Sequence, residues 1–512
     1  MIQSLYTIMS EETNKNVITI GVGGAAGDGV KKAGATIGAF LHSLGYEVYL
    51  SLAYPSLIRG GHNFARLSFS KNKIWCDHKE LDILIVSNEE SISLHKNELK
   101  ENARIISDIS LSKITENPQI IFEGINLEKE ESRGEFIDGN KSLAKGFQAA
   151  GLDFYFSYPM TPSTSILHYL AGQQKPSGLP AQAGLKVIQP ENEISVINMA
   201  LGAAFAGKRA AVGTATGGFA LMQEAFSLAG QAEIPLAIAV SQRQGPATGV
   251  PTRSSQSDLR FVIHAGHGEF PRIVIAPGDP EESFLAGAEA LNLAWKFQLP
   301  TIVLLDKILS EHIMTSSLDK NISVEYGKLA KEINGEYGRY EITRDGISPL
   351  AFPGTPGAVI KANSYEHDEK GITTDMPEEV ERMIDKRFSK MAGIEEDMKE
   401  KETIKIFGDA SSENTIIFFG STKGAVLEAA KYLSKPAKLV QILWLEPFPK
   451  EKVLKELSGA KKIINVEANK NSQLASLLRE KTGIAVTNSI LKYDAEPFDP
   501  MELAKQIDEI LL

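Results

Sequence analysis

PLAIAVSQRQGPATGVPTR, residues 235–253, joins two kinds of chain that do not mix within one element. Its first half is an unbroken run of Leu, Ala, Ile and Val, the pattern of a strand buried on both faces of a sheet. Its second half, from Arg243, is punctuated by Gly245, Pro246, Gly249 and Pro251 and cannot continue a helix or a strand. A buried strand ending in an irregular polar loop belongs to a parallel α/β sheet, where ligands bind beyond the carboxyl ends of the strands. Similar runs recur at VITIGVGG (17–24), LDILIV (81–86), RIVIA (272–276), TIVLL (301–305), TIIFFGS (415–421) and KIINVE (462–467), alternating with helical periodicity. The fold class read from them is α/β, with several doubly wound, mainly parallel-sheet domains.

Composition narrows the function. Of 512 residues, 54 are Lys or Arg and 65 are Asp or Glu, a net charge of −11 without a basic run, which excludes generic nucleic-acid binding. The length suits three or four domains. One cysteine, Cys76, excludes an internal disulfide and any iron-sulfur cluster or structural zinc held by this chain's thiolates alone. Its scarcity fits a reducing compartment. No run reaches the roughly 18 apolar residues of a membrane span, and the first residues lack a basic start followed by an apolar stretch. The expectation is a soluble cytoplasmic protein without a membrane partner. No Ser-His-Asp or Cys-His arrangement is legible, and the 9 His show no metal-ligand spacing, so no metal site is assigned.

Along the chain, a first unit runs from about Val17 to Asn126 and ends in the charged stretch LEKEESRGEF (127–136). A second, from about Ile137 to Glu311, is densest in alternating strands and helices. Periodicity fails between Glu325 and Asp375, where Pro and Gly punctuate the segment. The helical stretch PEEVERMIDKRFSKM (377–391) then leads to a third α/β unit from about Thr415.

In the first unit Gly21, Gly23, Gly24, Gly27 and Gly29 follow an apolar strand and open onto a helix, a setting that can hold a phosphate or carboxylate. A nicotinamide site would want an acidic residue about 20 residues on, at the end of the second strand. Glu47 comes too early. A different anionic ligand, an internal interface and a plain tight turn remain as readings, with Arg59 on the next loop able to add a cation.

Four strand ends converge in the second unit. DFYFSYP (153–159) passes through Tyr158 and Pro159 to Thr161, which can cap a helix or offer its hydroxyl to the crevice. KVIQ (186–189) leads to Glu193, at the start of a helix of apolar and small residues, where the carboxylate either caps the helix or meets a specific partner. Gly202, Ala203, Ala206 and Gly207 let another backbone approach that helix closely. Arg243 offers a planar fork for bidentate capture of a carboxylate, with Thr252 in the same loop; a solvated loop arginine is the bland alternative. The fourth end is VGTATGGF (212–219). Thr161, Glu193, Arg243 and Thr252 on adjacent ends would make a pocket for a small anion.

Taken together these segments resemble the alpha subunit of the 2-oxoacid:ferredoxin oxidoreductases, in the form with a gamma-type domain fused ahead of alpha. SYPMTPS (157–163) is similar to the family's Tyr-Pro-Ile-Thr-Pro motif, with Met160 in place of Ile. ENEISVINMALGAAFAGKRA (191–210) resembles its helix, QRQGPATGVPT (242–252) its substrate loop, and DGISPLAFPGTPGAVIKANSYEHDEKG (345–371) the connector of its 2-oxoglutarate branch. FFGSTKGAVLEAAKYL (418–433), LEPFPKEKV (445–453) and VEANKNSQLASLLR (466–479) look like a transketolase C-terminal-like domain. Two segments depart from the pattern: GVGGAAGDG is looser than the usual glycine loop, and Thr214–Gly218 stands where the family reads Thr-Ser-Gly-Pro-Gly.

The resemblance implies a gamma-type domain over 1–130, apparently shortened, a thiamine diphosphate pyrimidine-binding domain over 137–320, a connector over 321–400 and a transketolase-like domain over 401–512. It implies that Glu193 is catalytic and contacts thiamine diphosphate, that Tyr158 and Pro159 line the cofactor, and that Thr161, Arg243 and Thr252 bind the 2-oxoacid. It carries Gly21, Gly23, Gly24 and Arg59 over as cofactor contacts. The implied reaction is oxidative decarboxylation of a 2-oxoacid, 2-oxoglutarate before pyruvate, to its acyl-coenzyme A with reduction of ferredoxin. A beta subunit would bring the diphosphate site, Mg²⁺ and the iron-sulfur cluster, in a dimer of alpha-beta pairs. The rival readings are a non-catalytic scaffold or regulatory paralogue, and a thiamine-dependent 2-oxoacid dehydrogenase component.

Overall fold

The structure is a computed structural model that describes residues 17–55, 61–107, 110–122, 127–174, 184–333 and 335–512. Three sheets organise it. The first runs Leu99–Ile106, Leu81–Val86, Ile18–Ala25, His62–Ser70, Glu47–Ala53, Ile313–Ser316, Glu135–Asp138. Its first three strands are parallel and the remaining pairings antiparallel. The expectation of mainly parallel sheets therefore fails for this one. The chain between Ala53 and His62 is shorter than the dozen or so residues a parallel crossover needs, so the two strands form an antiparallel pair. Its last two strands come from either side of the central unit, so the first two units share a sheet.

The second sheet runs Trp444–Glu446, Ile273–Ile275, Pro300–Asp306, Leu236–Gln242, Ala210–Ala215, Phe154–Phe156, Lys186–Ile188, parallel throughout except at Trp444–Glu446. Its strands Pro300–Asp306, Leu236–Gln242 and Ala210–Ala215 are buried at every position, as their apolar runs require. Helices Glu193–Phe205 and Gln223–Gln231 pack on one face, Gly139–Ala149 and Pro280–Phe297 on the other. In the third sheet Ile404–Gly408 is antiparallel to Lys438–Ile442, and Asn414–Phe418, Lys462–Glu467 and Asn488–Leu491 continue in parallel.

Polar contacts knit the sheets together. Lys423 Nζ lies 2.5 Å from both Asp279 and Glu282 across the second and third units. The Gln256 amide donates to Phe419 O at 2.9 Å, and its backbone N–H donates to Ala468 O at 2.8 Å. Among the described residues of 317–376 there is no helix and no strand, as the broken periodicity predicts, yet they are tied down. Arg339 Nη2 donates to Glu233 O at 2.8 Å and Nη1 to Gln298 Oε1 at 3.2 Å. Helix Pro377–Glu400 then places Lys386 and Lys390 2.5 Å from the two Glu233 carboxylate oxygens. Burial alone would raise the Glu233 pKa, but these ammonium groups outweigh it and hold the carboxyl well below the usual range. Burial pushes Lys390 down to about 8. Among the described residues no helix is long and apolar enough to cross a membrane.

Candidate functional site

The four strand ends named from the sequence meet at one edge of the second sheet. After strand Phe154–Phe156, Ser157 Oγ donates to Gly213 O at 2.7 Å, pinning the Tyr158-Pro159 turn to the neighbouring strand. Tyr158 is left partly exposed. The following helix begins at Thr164 with Ser163 as its N-cap residue, so Thr161 is not the cap that the sequence allowed. Thr161 sits in the turn before the helix, and its carbonyl accepts a 2.8 Å hydrogen bond from Arg243 Nη1.

That contact brings two predicted site residues together and fixes the arginine. Arg243 follows strand Leu236–Gln242, half-buried, and burial pushes its pKa down. A guanidinium has five N–H donors; one is held by Thr161, which orients the plane of the rest. The loop beyond closes on itself, with Val250 N donating to Gln244 O at 2.8 Å and Gln244 N to Arg253 O at 3.2 Å. Thr252, buried, is thereby returned to the base of the loop, near Arg243.

Glu193 is the first residue of helix Glu193–Phe205 and is 3% exposed. The capping alternative does not hold for it. Asn192 is the cap, accepting from Ser195 N at 2.9 Å, and Glu191 takes the Ser195 hydroxyl. Glu193 Oε1 is buried with no hydrogen-bond partner among the described residues. A buried carboxylate oxygen without a donor costs stability, and such a group is the acceptor that a ligand N–H would complete.

Sequence reasoning missed the wall facing this carboxylate. A Cβ on Gly218, in helix Thr216–Leu221, would stand 2.8 Å from Glu193 Oε1 and closer still to Thr214 Oγ1, so only glycine leaves the carboxylate in place. The available signal was a second glycine inside a short helix, where no turn required it. Thr216 Oγ1 donates to Asp258 Oδ2 at 2.8 Å, fixing the start of that helix.

The first unit corrects another expectation. Gly21, Gly23 and Gly24 lie inside strand Ile18–Ala25, which is paired on both sides as far as Gly23. Side chains crowd them: a Cβ on Gly21 would meet Phe64 at 2.6 Å, and one on Gly23 would meet Ser91 at 2.8 Å. These glycines are closely packed by side chains, with backbone groups engaged in the sheet on both sides as far as Gly23. The open turn comes later, at Gly27 and Gly29, both with positive φ. Arg59 lies outside the described residues.

Fold and site define an α/β chain whose central sheet presents, beyond its strand ends, an arginine held by the Thr161 carbonyl, a buried threonine and a buried carboxylate oxygen with no hydrogen-bond partner among the described residues. Two family models match it: "Pyruvate flavodoxin/ferredoxin oxidoreductase, thiamine diP-bdg" over residues 145–386 and "Pyruvate ferredoxin/flavodoxin oxidoreductase" over residues 19–155. The chain is 41% identical over 390 residues to the 2-oxoacid:ferredoxin oxidoreductase subunit alpha of Saccharolobus solfataricus, a match covering 73% of this chain and 61% of that one. To the 2-oxoglutarate synthase subunit KorA of Archaeoglobus fulgidus it is 30% identical over 341 residues, 65% of this chain and 88% of that one. The 2-oxoglutarate:ferredoxin oxidoreductase from Magnetococcus marinus, solved with 2-oxoglutarate, coenzyme A and succinyl-CoA bound, superposes with a TM-score of 0.87 at 27% identity, covering 97% of this chain and 100% of that chain. The chain belongs to the family of 2-oxoacid:ferredoxin oxidoreductase alpha subunits. It spans about three fifths of the length of several of the curated relatives it matches.

Proposed function

We propose that this chain is the alpha subunit of a thiamine-diphosphate-dependent enzyme that oxidatively decarboxylates a 2-oxoacid, 2-oxoglutarate for preference, to its acyl-coenzyme A while reducing ferredoxin. The observation that carries the proposal is the buried Glu193 Oε1 with no hydrogen-bond partner among the described residues, at the start of a helix on the same sheet whose neighbouring strand end bears Arg243, oriented by Thr161. Relatives named for 2-oxoacids and 2-oxoglutarate, and a solved neighbour with 2-oxoglutarate and coenzyme A bound, support it.

In this reading Glu193 holds the N1′ edge of the thiamine aminopyrimidine, with Tyr158 and Pro159 lining the ring. Thiamine diphosphate, when bound, supplies the electron sink that lets a 2-oxoacid lose carbon dioxide. Glu193 Oε1, at a helix start and shielded from water, takes and returns a proton at N1′. The free N–H groups of Arg243 grip the substrate carboxylate, and the hydroxyls of Thr161 and Thr252 orient the 2-oxo group. Gly218 keeps the space in front of Glu193 clear.

One cysteine cannot hold an iron-sulfur cluster, so the cluster, with the diphosphate and Mg²⁺, is assigned to a beta subunit. Exposed apolar side chains at the rim of the site, Ile194 at 53%, Met199 at 43% and Leu221 at 54%, support cover by that partner. A cytoplasmic dimer of alpha-beta pairs serving ferredoxin completes the reading, in keeping with the reducing compartment that the single buried cysteine suggests.

The test is anaerobic purification of the tagged chain from its own cells, identification of what co-purifies, and assay of viologen reduction with coenzyme A and 2-oxoglutarate, pyruvate or 2-oxobutyrate. A stoichiometric cysteine-rich partner with 2-oxoacid-dependent reduction is the expected result. A partnered complex inert towards every 2-oxoacid would overturn the proposal.

A further inference from the structure

A second recess lies where the three units meet, at the foot of the loop that carries Thr252. This cleft of about 70 Å³ is bounded by strands Glu47–Ala53 and His62–Ser70, by Thr252–Ser254 and by the turn around Glu496. About 10–15 Å³ of such space holds one water molecule, so the cleft has room for a carboxylate or phosphate group.

Its donors are arranged for an anion. Ser254 Oγ is buried, in a residue 7% exposed, and has no hydrogen-bond partner among the described residues. Arg253 and Lys307 both line the cleft. Burial is the chief cause pushing the Lys307 pKa down, and the Arg253 charge pushes it further in the same direction, while Glu311 alone opposes them. Lys307 Nζ lies 3.5 Å from Glu311 and donates to Leu52 O at 3.0 Å, so it is answered within the fold, and Arg253 with the unpaired Ser254 hydroxyl is what the cleft offers to negative charge.

A tethered carboxylate already answers that charge. Glu496, from the C-terminal unit, lies 2.6 Å from Arg253 Nη1, with side-chain exposures of 35% for the arginine and 51% for the glutamate. Exposed pairs of this kind contribute little to stability, so an incoming anion displaces Glu496 at small cost. The other acid in the cleft is not free to compete for Arg253, because Asp77 accepts from Ser51 Oγ at 2.5 Å and lies 3.7 Å from Arg66.

We infer that the cleft is a subsite for an anionic oxygen group, carboxylate or phosphate, on a ligand whose reacting end lies near Thr252, that Arg253 receives the group, and that Glu496 stands in for it when the cleft is empty. The inference rests on the proposed 2-oxoacid reading. Within that reading the group has two sources, the second carboxylate of a dicarboxylic 2-oxoacid or a phosphate of the acyl acceptor.

The experiment uses the assembled alpha-beta complex. In Arg253→Gln, the kcat/KM ratio of 2-oxoglutarate over 2-oxobutyrate falls at least tenfold if the group is the second carboxylate. The ratio of coenzyme A over 3′-dephospho-coenzyme A falls by as much if it is the 3′-phosphate. Arg253→Lys recovers part of the lost ratio, because the charge remains while the fork is lost, a rescue that a folding defect would not show. Glu496→Gln removes the competitor and lowers the dissociation constant of the same ligand two- to fivefold, read by calorimetry without turnover. Both ratios unchanged in Arg253→Gln, or weaker binding in Glu496→Gln, overturn the inference. A wild-type complex that turns over no 2-oxoacid would instead sink the functional reading, and the calorimetric arm would still report on the cleft.

Discussion

Glu193 and Glu233 are buried to nearly the same degree, 3% and 1% exposed, yet they live in opposite circumstances. Glu233 meets two ammonium groups at 2.5 Å, and Arg339 donates to its backbone carbonyl. Glu193 has a carboxylate oxygen with no donor at all among the described residues. A carboxylate paired with buried cations holds parts of a fold together, here the connector and helix Pro377–Glu400 against the central sheet. An unsaturated one weakens the fold and persists where a ligand completes it. Burial alone does not separate the two roles; the partner count does.

The difference can be broken most forcefully at Glu193. Glu193→Gln should cut the turnover of the assembled enzyme by about 10²–10⁴-fold, since a general acid-base contact is lost. Its stability by denaturant titration should stay within about 1 kcal/mol of wild type, because the charge's favourable interaction with the helix start is lost while the cost of burying that charge is relieved. Near-normal turnover would remove Glu193 from the chemistry.

At Glu233 the isosteric change should do the reverse. Glu233→Gln leaves Lys386 and Lys390 buried without a counter-charge and should destabilise the chain by about 3–5 kcal/mol, while turnover per folded complex stays close to wild type. A loss under about 1 kcal/mol would mean that water reaches the cluster. Arg243→Lys comes next. The charge stays but the fork does not, so KM for the 2-oxoacid should rise about tenfold, in line with the roughly 1.5–3 kcal/mol of a hydrogen bond to a charged group. An unchanged KM would place Arg243 outside the pocket.

The smallest effect is on acid stability. The folded-state pKa of Glu233 is depressed, so its stabilisation is complete above the ordinary carboxylate pKa of about 4.3 and fades as pH falls below it. The stability gap between wild type and Glu233→Gln should therefore narrow below that pH, by no more than about 1.4 kcal/mol per pH unit. A gap that widens on acidification would reverse the assigned sign.

Much of this molecule was legible along the chain. Pro300–Asp306 and Leu236–Gln242 could be read as buried strands because sidedness is written into successive residues, and the structureless connector because Pro and Gly break periodicity locally. The strand-end rule singles out Thr161, Glu193, Arg243 and Thr252 as candidates, since a parallel sheet places those ends along one edge, and the fold joins Arg243 to Thr161. The glycines of the first unit could not be placed from sequence, because a strand paired on both sides and a phosphate-binding turn ask for the same residue.

The sequence by itself determined the fold class, the irregular connector and the residue types at the central strand ends, all of which follow from short-range pattern. Only the tertiary structure decided which carboxylate is paired and which is open, for Glu233 and Lys386 are 153 residues apart. It also decided that Ile313–Ser316 completes the first sheet, that Gly218 faces Glu193, and that Glu496 reaches Arg253. Each depends on where distant segments meet, and hydrogen-bond saturation is a property of that meeting, not of any residue alone.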